Sequence, residues 1–125
     1  MSILFYKSIH ILGIALLLVA LGGLCGSLMA GVDPNTNRAR KTIGITHGIA
    51  LLLILISGFG MIAKLGTVEG YSPWGGWFWV KLLIWIFLGG VTVLLRRSLN
   101  LAKPFWFIIP LLVFLAAYMA LYKPF

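Results

Sequence analysis

Long apolar runs separated by short polar gaps organise this chain. The runs are Ile3–Ala30, Ile43–Ala63, Trp77–Leu95 and Phe105–Tyr122. Each reaches the roughly 20 residues a helix needs to cross about 30 Å of hydrocarbon. Lipid offers backbone groups no hydrogen bonds, so runs of this length predict helices, whose bonds close within the segment. The first run is longer than a span requires and is expected to tilt or to project from the membrane. No basic region precedes a short apolar core in it, so it is expected to be retained rather than cleaved as a signal. The pattern therefore predicts an all-α fold: an integral membrane four-helix transmembrane bundle, a single domain over residues 1–125, with helices at about 3–30, 43–63, 77–95 and 105–122.

The gaps carry turn chemistry and most of the charge. Gly31–Lys41 holds Asp33-Pro34-Asn35, a turn signal, followed by Arg38, Arg40 and Lys41. Gly66–Gly76 holds Glu69-Gly70, Ser72-Pro73 and Gly75-Gly76, and Arg96–Lys103 is short and basic. The first and third gaps share one side with six cations: Arg38, Arg40, Lys41, Arg96, Arg97 and Lys103. The other side has four at most, Lys7, Lys64, Lys81 and Lys123. The positive-inside rule then makes the first and third loops cytoplasmic and places the chain N-out/C-out in the cell inner (cytoplasmic) membrane. Trp74, Trp77 and Trp79 are expected as an outer aromatic anchor, with Trp106 at the inner interface.

Composition agrees and removes alternatives. Hydrophobic residues are 62% of the chain and charged residues 10%, against about 25% charged in a soluble domain. Too little polar surface remains to coat a soluble particle, and the apolar content is opposite to that of a disordered segment. Net charge is +8, with Asp33 and Glu69 the only acids. Because the cations lie between apolar runs, they point to anionic lipid headgroups and orientation rather than to nucleic acid. No carboxylate lies inside a run, which excludes an acidic proton relay, a carboxylate metal cage or a paired-carboxylate hydrolase. Cys25 has no partner for an intrachain disulfide and reads as a small buried hydrophobe.

Small residues predict where helices meet. Gly22, Gly26 and Ala30 recur every fourth residue on helix one, and Gly44 and Gly48 do so on helix two, spacing that lets backbones approach. Pro110 is expected to kink helix four and release the Trp106 carbonyl.

Few polar side chains lie at membrane depth: His10, His47, Lys81, Thr92, Ser57, Tyr6 and Tyr118. Ionisable groups there are costly and mark candidate sites. His10 lies roughly 10 Å below the outer surface and His47 roughly 6 Å from the inner one. They should therefore differ in depth by about 14 Å and cannot sandwich one iron within a single chain. Two copies about a two-fold axis could bring paired His10 rings level, so a homodimer or larger membrane complex stays open. Lys81 shares the outer layer with His10, on a helix that starts from the same side. The face Tyr6, His10, Gly13, Ala20, Ser27 is polar or small, as an inward face should be. A neutral imidazole there could ligate haem iron, with Lys81 near a propionate. Plainer alternatives stand beside this one. Lys81 also reads as a cation snorkelling to headgroups, His10 as an interhelical hydrogen-bond donor and His47 as structural. Tyr6, Tyr118 and Tyr122 read as interfacial anchors.

Tyr6-Lys7-Ser8-Ile9-His10, Thr46-His47-Gly48 leading to Ser57-Gly58, and Trp79-Val80-Lys81-Leu82-Leu83 followed by Gly89 and Arg96-Arg97 form a set. With the four spans, this set resembles small SirB-type bacterial membrane proteins, in the wider group with HemJ-type protoporphyrinogen oxidase and CopD-like domains. The HemJ-type resemblance implies haem b or porphyrin binding with a helix-one histidine and a helix-three lysine, here His10 and Lys81. Ala50 stands where the SirB pattern favours an acid, and the later part of helix one lacks an arginine found in HemJ-like chains. Two functions follow. One is a haem- or porphyrin-linked redox membrane protein with His10 as metal ligand and Lys81, Tyr6 and His47 as cofactor contacts. The other is a non-enzymatic membrane subunit or regulator that binds a protein partner or anionic lipid through Arg38, Arg40, Lys41, Arg96 and Arg97.

Overall fold

A computed structural model describes residues 2–65 and 76–122, without the side chains of Leu65, Trp77 and Tyr122. The Gly66–Gly76 loop expectation (apart from Gly76), the Trp74 and Trp77 anchors and Lys123 therefore lie outside the described residues. Four α-helices follow in order: α1 (Ile3–Met29), α2 (Arg40–Leu65), α3 (Gly76–Arg97) and α4 (Ala102–Tyr122). A single 3-10 turn (Leu99–Leu101) joins the last two, and no strand occurs among the described residues. All four helices are long and apolar enough to cross a membrane.

The helices outrun the apolar runs where charged residues flank them. Arg40, Lys41 and Thr42 open α2, and Arg96 and Arg97 close α3. Lysine and arginine are good helix formers, and hydropathy alone does not see them. The expected Arg96–Lys103 loop shrinks to Ser98 and the 3-10 turn, because Ala102, Lys103 and Pro104 already belong to α4. Proline is tolerated in a first turn, where its missing N–H would have no partner.

Caps set the other ends. The Ser2 hydroxyl accepts from Phe5 N–H at 3.2 Å and starts α1. At its far end Gly31 has φ +84°. Val32 N–H donates to the Ser27 carbonyl at 3.0 Å and Gly31 N–H to that of Leu28 at 3.1 Å. This pair is a Schellman stop, which needs a residue free to adopt left-handed backbone. The following loop is pinned by Asp33 Oδ1 accepting from Asn35 N–H and Asn37 Oδ1 accepting from Ala39 N–H, both at 2.9 Å.

Side-chain contacts give the topology. Up α1 the contacts run Tyr6, His10, Gly13, Gly23; down α2 their partners are Gly60, Ser57, Ala50 with Ile54, and Ile43. The two helices are antiparallel. The pairs His47–Leu88, Leu51–Trp85 and Phe59–Phe78 make α2 and α3 antiparallel as well. Gly26 meets Trp106 across α1 and α4. The core lies along α1 and α3, with Leu17, Leu21, Leu24, Val91 and Leu95 buried. Outward faces are apolar: Ile45, Ile49, Leu52, Ile56 and Phe59 form an exposed stripe on α2, and Phe107, Leu111, Phe114 and Leu121 one on α4. Exposed apolar stripes of this extent mark surfaces that face a membrane or another protein.

The closest helix approach is not where the four-residue glycine spacing put it. Gly22, Gly44 and Gly48 have nothing within 4 Å of a notional Cβ, and Gly26 meets only the edge of Trp106 at 3.8 Å. Gly13 is the tight point, where a Cβ would meet Ile54 Cγ1 at 2.8 Å and the Ala50 carbonyl at 3.2 Å. At Gly60 the space of a Cβ is taken by the ring of Tyr6. Spacing shows that a ridge is smooth, but only the rotation of each helix decides which ridge faces a neighbour.

Gly13→Leu should force α1 and α2 apart and cost about 1–3 kcal/mol, as overpacking does. Gly22→Leu, facing open space, should cost far less; unfolding in mixed micelles followed by circular dichroism compares the two.

Candidate functional site

Two polar nodes between the apolar helices arise from this packing, and each ends on a backbone carbonyl. At the first, His10 Nδ1 lies 2.9 Å from Ser57 Oγ. Ser57 is fully buried, and its hydroxyl lies 2.5 Å from the Leu53 carbonyl and 3.2 Å from that of Ile54. A hydroxyl has one proton, and carbonyls only accept. The Ser57 proton therefore goes to the helix backbone, and its oxygen accepts from His10 Nδ1–H. In the neutral ring this selects the tautomer with a bare Nε2 lone pair. Gly58 gives the ring room, a notional Cβ there lying 3.7 Å from His10 Cε1.

Lys81 belongs to the same layer. The α2–α3 pairs bracket it: Trp85 sits at Leu51 and Phe78 at Phe59, which puts Lys81 level with Leu55, about 3 Å along the axis from Ser57. Tyr6, one turn above His10, closes the node against Gly60. One N-terminal turn of α1, the middle of α2 and the start of α3 thus bring together Tyr6, His10, Ser57 and Lys81. No family model, no curated protein and no solved structure matches the chain.

Among the described residues no three of His, Cys, Asp and Glu come together. The node offers one imidazole donor, which suits a metal already enclosed in a macrocycle better than a bare ion. The hydroxyl behind Nδ1 is the kind of partner that orients a ligating histidine.

His47 makes the second node. It is 7% exposed, and its Nε2–H donates to the Leu88 carbonyl at 3.0 Å. In the opposite direction Trp85 Nε1–H donates to the Leu51 carbonyl at 3.1 Å. The pair clamps α2 to α3 reciprocally. His47 lies ten residues from Ser57 along α2, about 15 Å, so the two histidines serve separate layers. Ser57 is among the polar side chains expected at membrane depth, though without an assigned partner, whereas Trp85 carries this geometry without having been singled out in the sequence. A hydroxyl and an indole N–H inside apolar runs were the available signal, since each needs a partner there.

The basic residues gather elsewhere. Arg38, Arg40, Lys41 and Arg96 line an open groove of about 590 Å³ at the end of the bundle that carries the α1–α2 and α3–α4 connections. Arg97, though exposed, does not line it, and neither does His47. A second cavity of about 280 Å³ lies between α1 and α4, lined by Cys25, Trp106 and Pro110 among apolar side chains.

Removing one arm of the clamp by Trp85→Phe, or the other by His47→Ala, should each cost about 0.5–1.5 kcal/mol. The double variant should lose more than either alone, without affecting the His10 layer; a double-mutant cycle of detergent unfolding measures this.

Proposed function

We propose that the chain is an integral inner-membrane protein, N-out/C-out, that holds haem b or a porphyrin at the His10 node in a redox role. The carrying observation is the hydrogen-bond chain His10–Ser57–Leu53, which holds the imidazole through Nδ1 and selects the tautomer whose lone pair is on Nε2. His10 would hold the iron. Lys81, in the same layer, would meet an acidic ring substituent, and Tyr6 would border it. When bound, haem supplies one-electron chemistry. The chain's own residues supply a fixed imidazole, a nearby cation and a surround with no carboxylate among the described spans. This matches the histidine–lysine pairing implied by the HemJ-type resemblance.

The bilayer part of this reading rests on helix length and on the exposed apolar stripes of α2 and α4. At about 1.5 Å per residue even the 21-residue α4 exceeds 30 Å. A second reading draws on a different observation, the four-cation groove: a non-enzymatic subunit or regulator that engages an anionic partner through its cytoplasmic loops.

Protein purified after haem-replete expression should show a Soret band that His10→Ala abolishes. Ser57→Ala, which removes the hydroxyl behind Nδ1, should shift or weaken the band while leaving helix content unchanged. A colourless, folded wild-type preparation would reject the cofactor reading. Orientation is checked separately in a Cys25→Ala background: Ser2→Cys should react with an impermeant maleimide from outside intact cells, and Asn37→Cys only after lysis.

A further inference from the structure

The groove at the connecting-loop end is a charge cluster with no counter-ion among the residues that line it. Its four cations come from three places in the chain: Arg38 from the loop, Arg40 and Lys41 from the first turn of α2, and Arg96 from the last turn of α3. Asp33, the one acid in this loop, is turned to local use, its Oδ1 accepting from Asn35 N–H. Like charges held this close repel one another, and an anion seated among them removes that cost. Arg40 is partly held in place by a 3.4 Å bond from Nη1 to the Asn35 carbonyl, so part of the cluster is set in advance.

The remaining wall decides what kind of anion fits. On the loop side it is polar, Asn35, Thr36 and Asn37; on the helix side it is Gly44 and Ile45, the beginning of the apolar part of α2. From there the exposed surface continues along the helix through Gly48, Ile49 and Leu52. Gly44 and Gly48 have nothing within 4 Å of a notional Cβ, so this face carries a shallow trough leading away from the cations. A soluble anion would use only the charged end. A molecule with a phosphate head and a hydrocarbon tail would use both.

We propose that this groove seats the phosphate of an anionic phospholipid, with one acyl chain lying along the Gly44–Gly48 face of α2. The inference rests on the bilayer reading above but not on haem binding. Arginine forks match phosphate oxygens in two-point hydrogen bonds. The cations stand at the boundary of the membrane span, where headgroup phosphates lie. The bound lipid would tie the α1–α2 loop to the end of α3, two parts of the chain that meet at the groove.

The test uses the full chain in neutral detergent, titrated with phosphatidylglycerol, with phosphatidylcholine or with inorganic phosphate, and read by native mass spectrometry and thermal unfolding. Phosphatidylglycerol should remain bound and raise the unfolding temperature; phosphatidylcholine should not. Each neutralised cation, as in Arg38→Gln or Arg96→Gln, should weaken retention about fivefold. Arg96→Lys, which keeps the charge but loses the two-point fork, should bind more weakly than the unaltered chain and more tightly than Arg96→Gln. Gly48→Leu fills the trough outside the groove lining and should weaken phosphatidylglycerol while leaving inorganic phosphate unaffected. Circular dichroism on each variant confirms that the helices persist. Equal retention of both lipids overturns the proposal, as does binding unchanged by the cation substitutions. Inorganic phosphate displacing the lipid fully, with Gly48→Leu silent, would show a soluble-anion site instead. Retention of an acidic peptide but of neither lipid would show a protein-docking surface. A chain absent from the membrane fraction would defeat the bilayer reading itself, a result distinct from each of these.

Discussion

Polar side chains inside an apolar helical bundle have almost nothing to bond except helix carbonyls, and that scarcity shapes this structure. Each helix carbonyl has a second lone pair after its own i to i+4 bond. Ser57 takes the one at Leu53, His47 the one at Leu88 and Trp85 the one at Leu51. Every one of these bonds also fixes a rotation or a spacing. The helices are apolar nearly all round, so burial alone would leave their rotation loosely specified; a few directional bonds supply what the hydrophobic pattern lacks.

The two nodes use this constraint differently. At His47 the result is a brace: donor and carbonyl face each other across α2 and α3, and the Trp85 bond returns the contact in the opposite sense. At His10 an intermediate hydroxyl stands between imidazole and backbone, so the ring is oriented through Nδ1. Gly13 makes the second arrangement reachable. With α1 and α2 in contact there, a short serine on one helix meets the first ring nitrogen of a histidine on the other. A larger residue at Gly13 would widen the gap beyond what a hydroxyl can bridge.

The arginine cluster is segregated from these nodes. The basic groove sits at one end of the bundle and the His10 layer toward the other, so an anion at the groove and a ligand at the histidine would not compete. The two proposals can thus hold together or separately. What links them is α2, which carries the groove at its first turns and Ser57 beyond its middle.

Much of this was legible in the sequence. Apolar runs fix the number of helices because lipid-length segments have no other way to satisfy their backbones, and the polar gaps between them fix an alternating course. Depth was legible too: counting residues from the ends of the runs is enough to place His10 and Lys81 in one layer and His47 in another, since rise per residue is constant. Rotation about each helix axis was not. With apolar residues on every face, periodicity gives little direction, so the glycines that pack, Gly13 and Gly60, could not be told from those with open space beside them, Gly22, Gly44 and Gly48. The partners Ser57, Leu88 and Leu51, the clamp made by Trp85 and the meeting of Arg96 with Arg38 at one groove are likewise products of tertiary packing. They depend on which faces meet across residues far apart in the chain, a relation that no local pattern encodes.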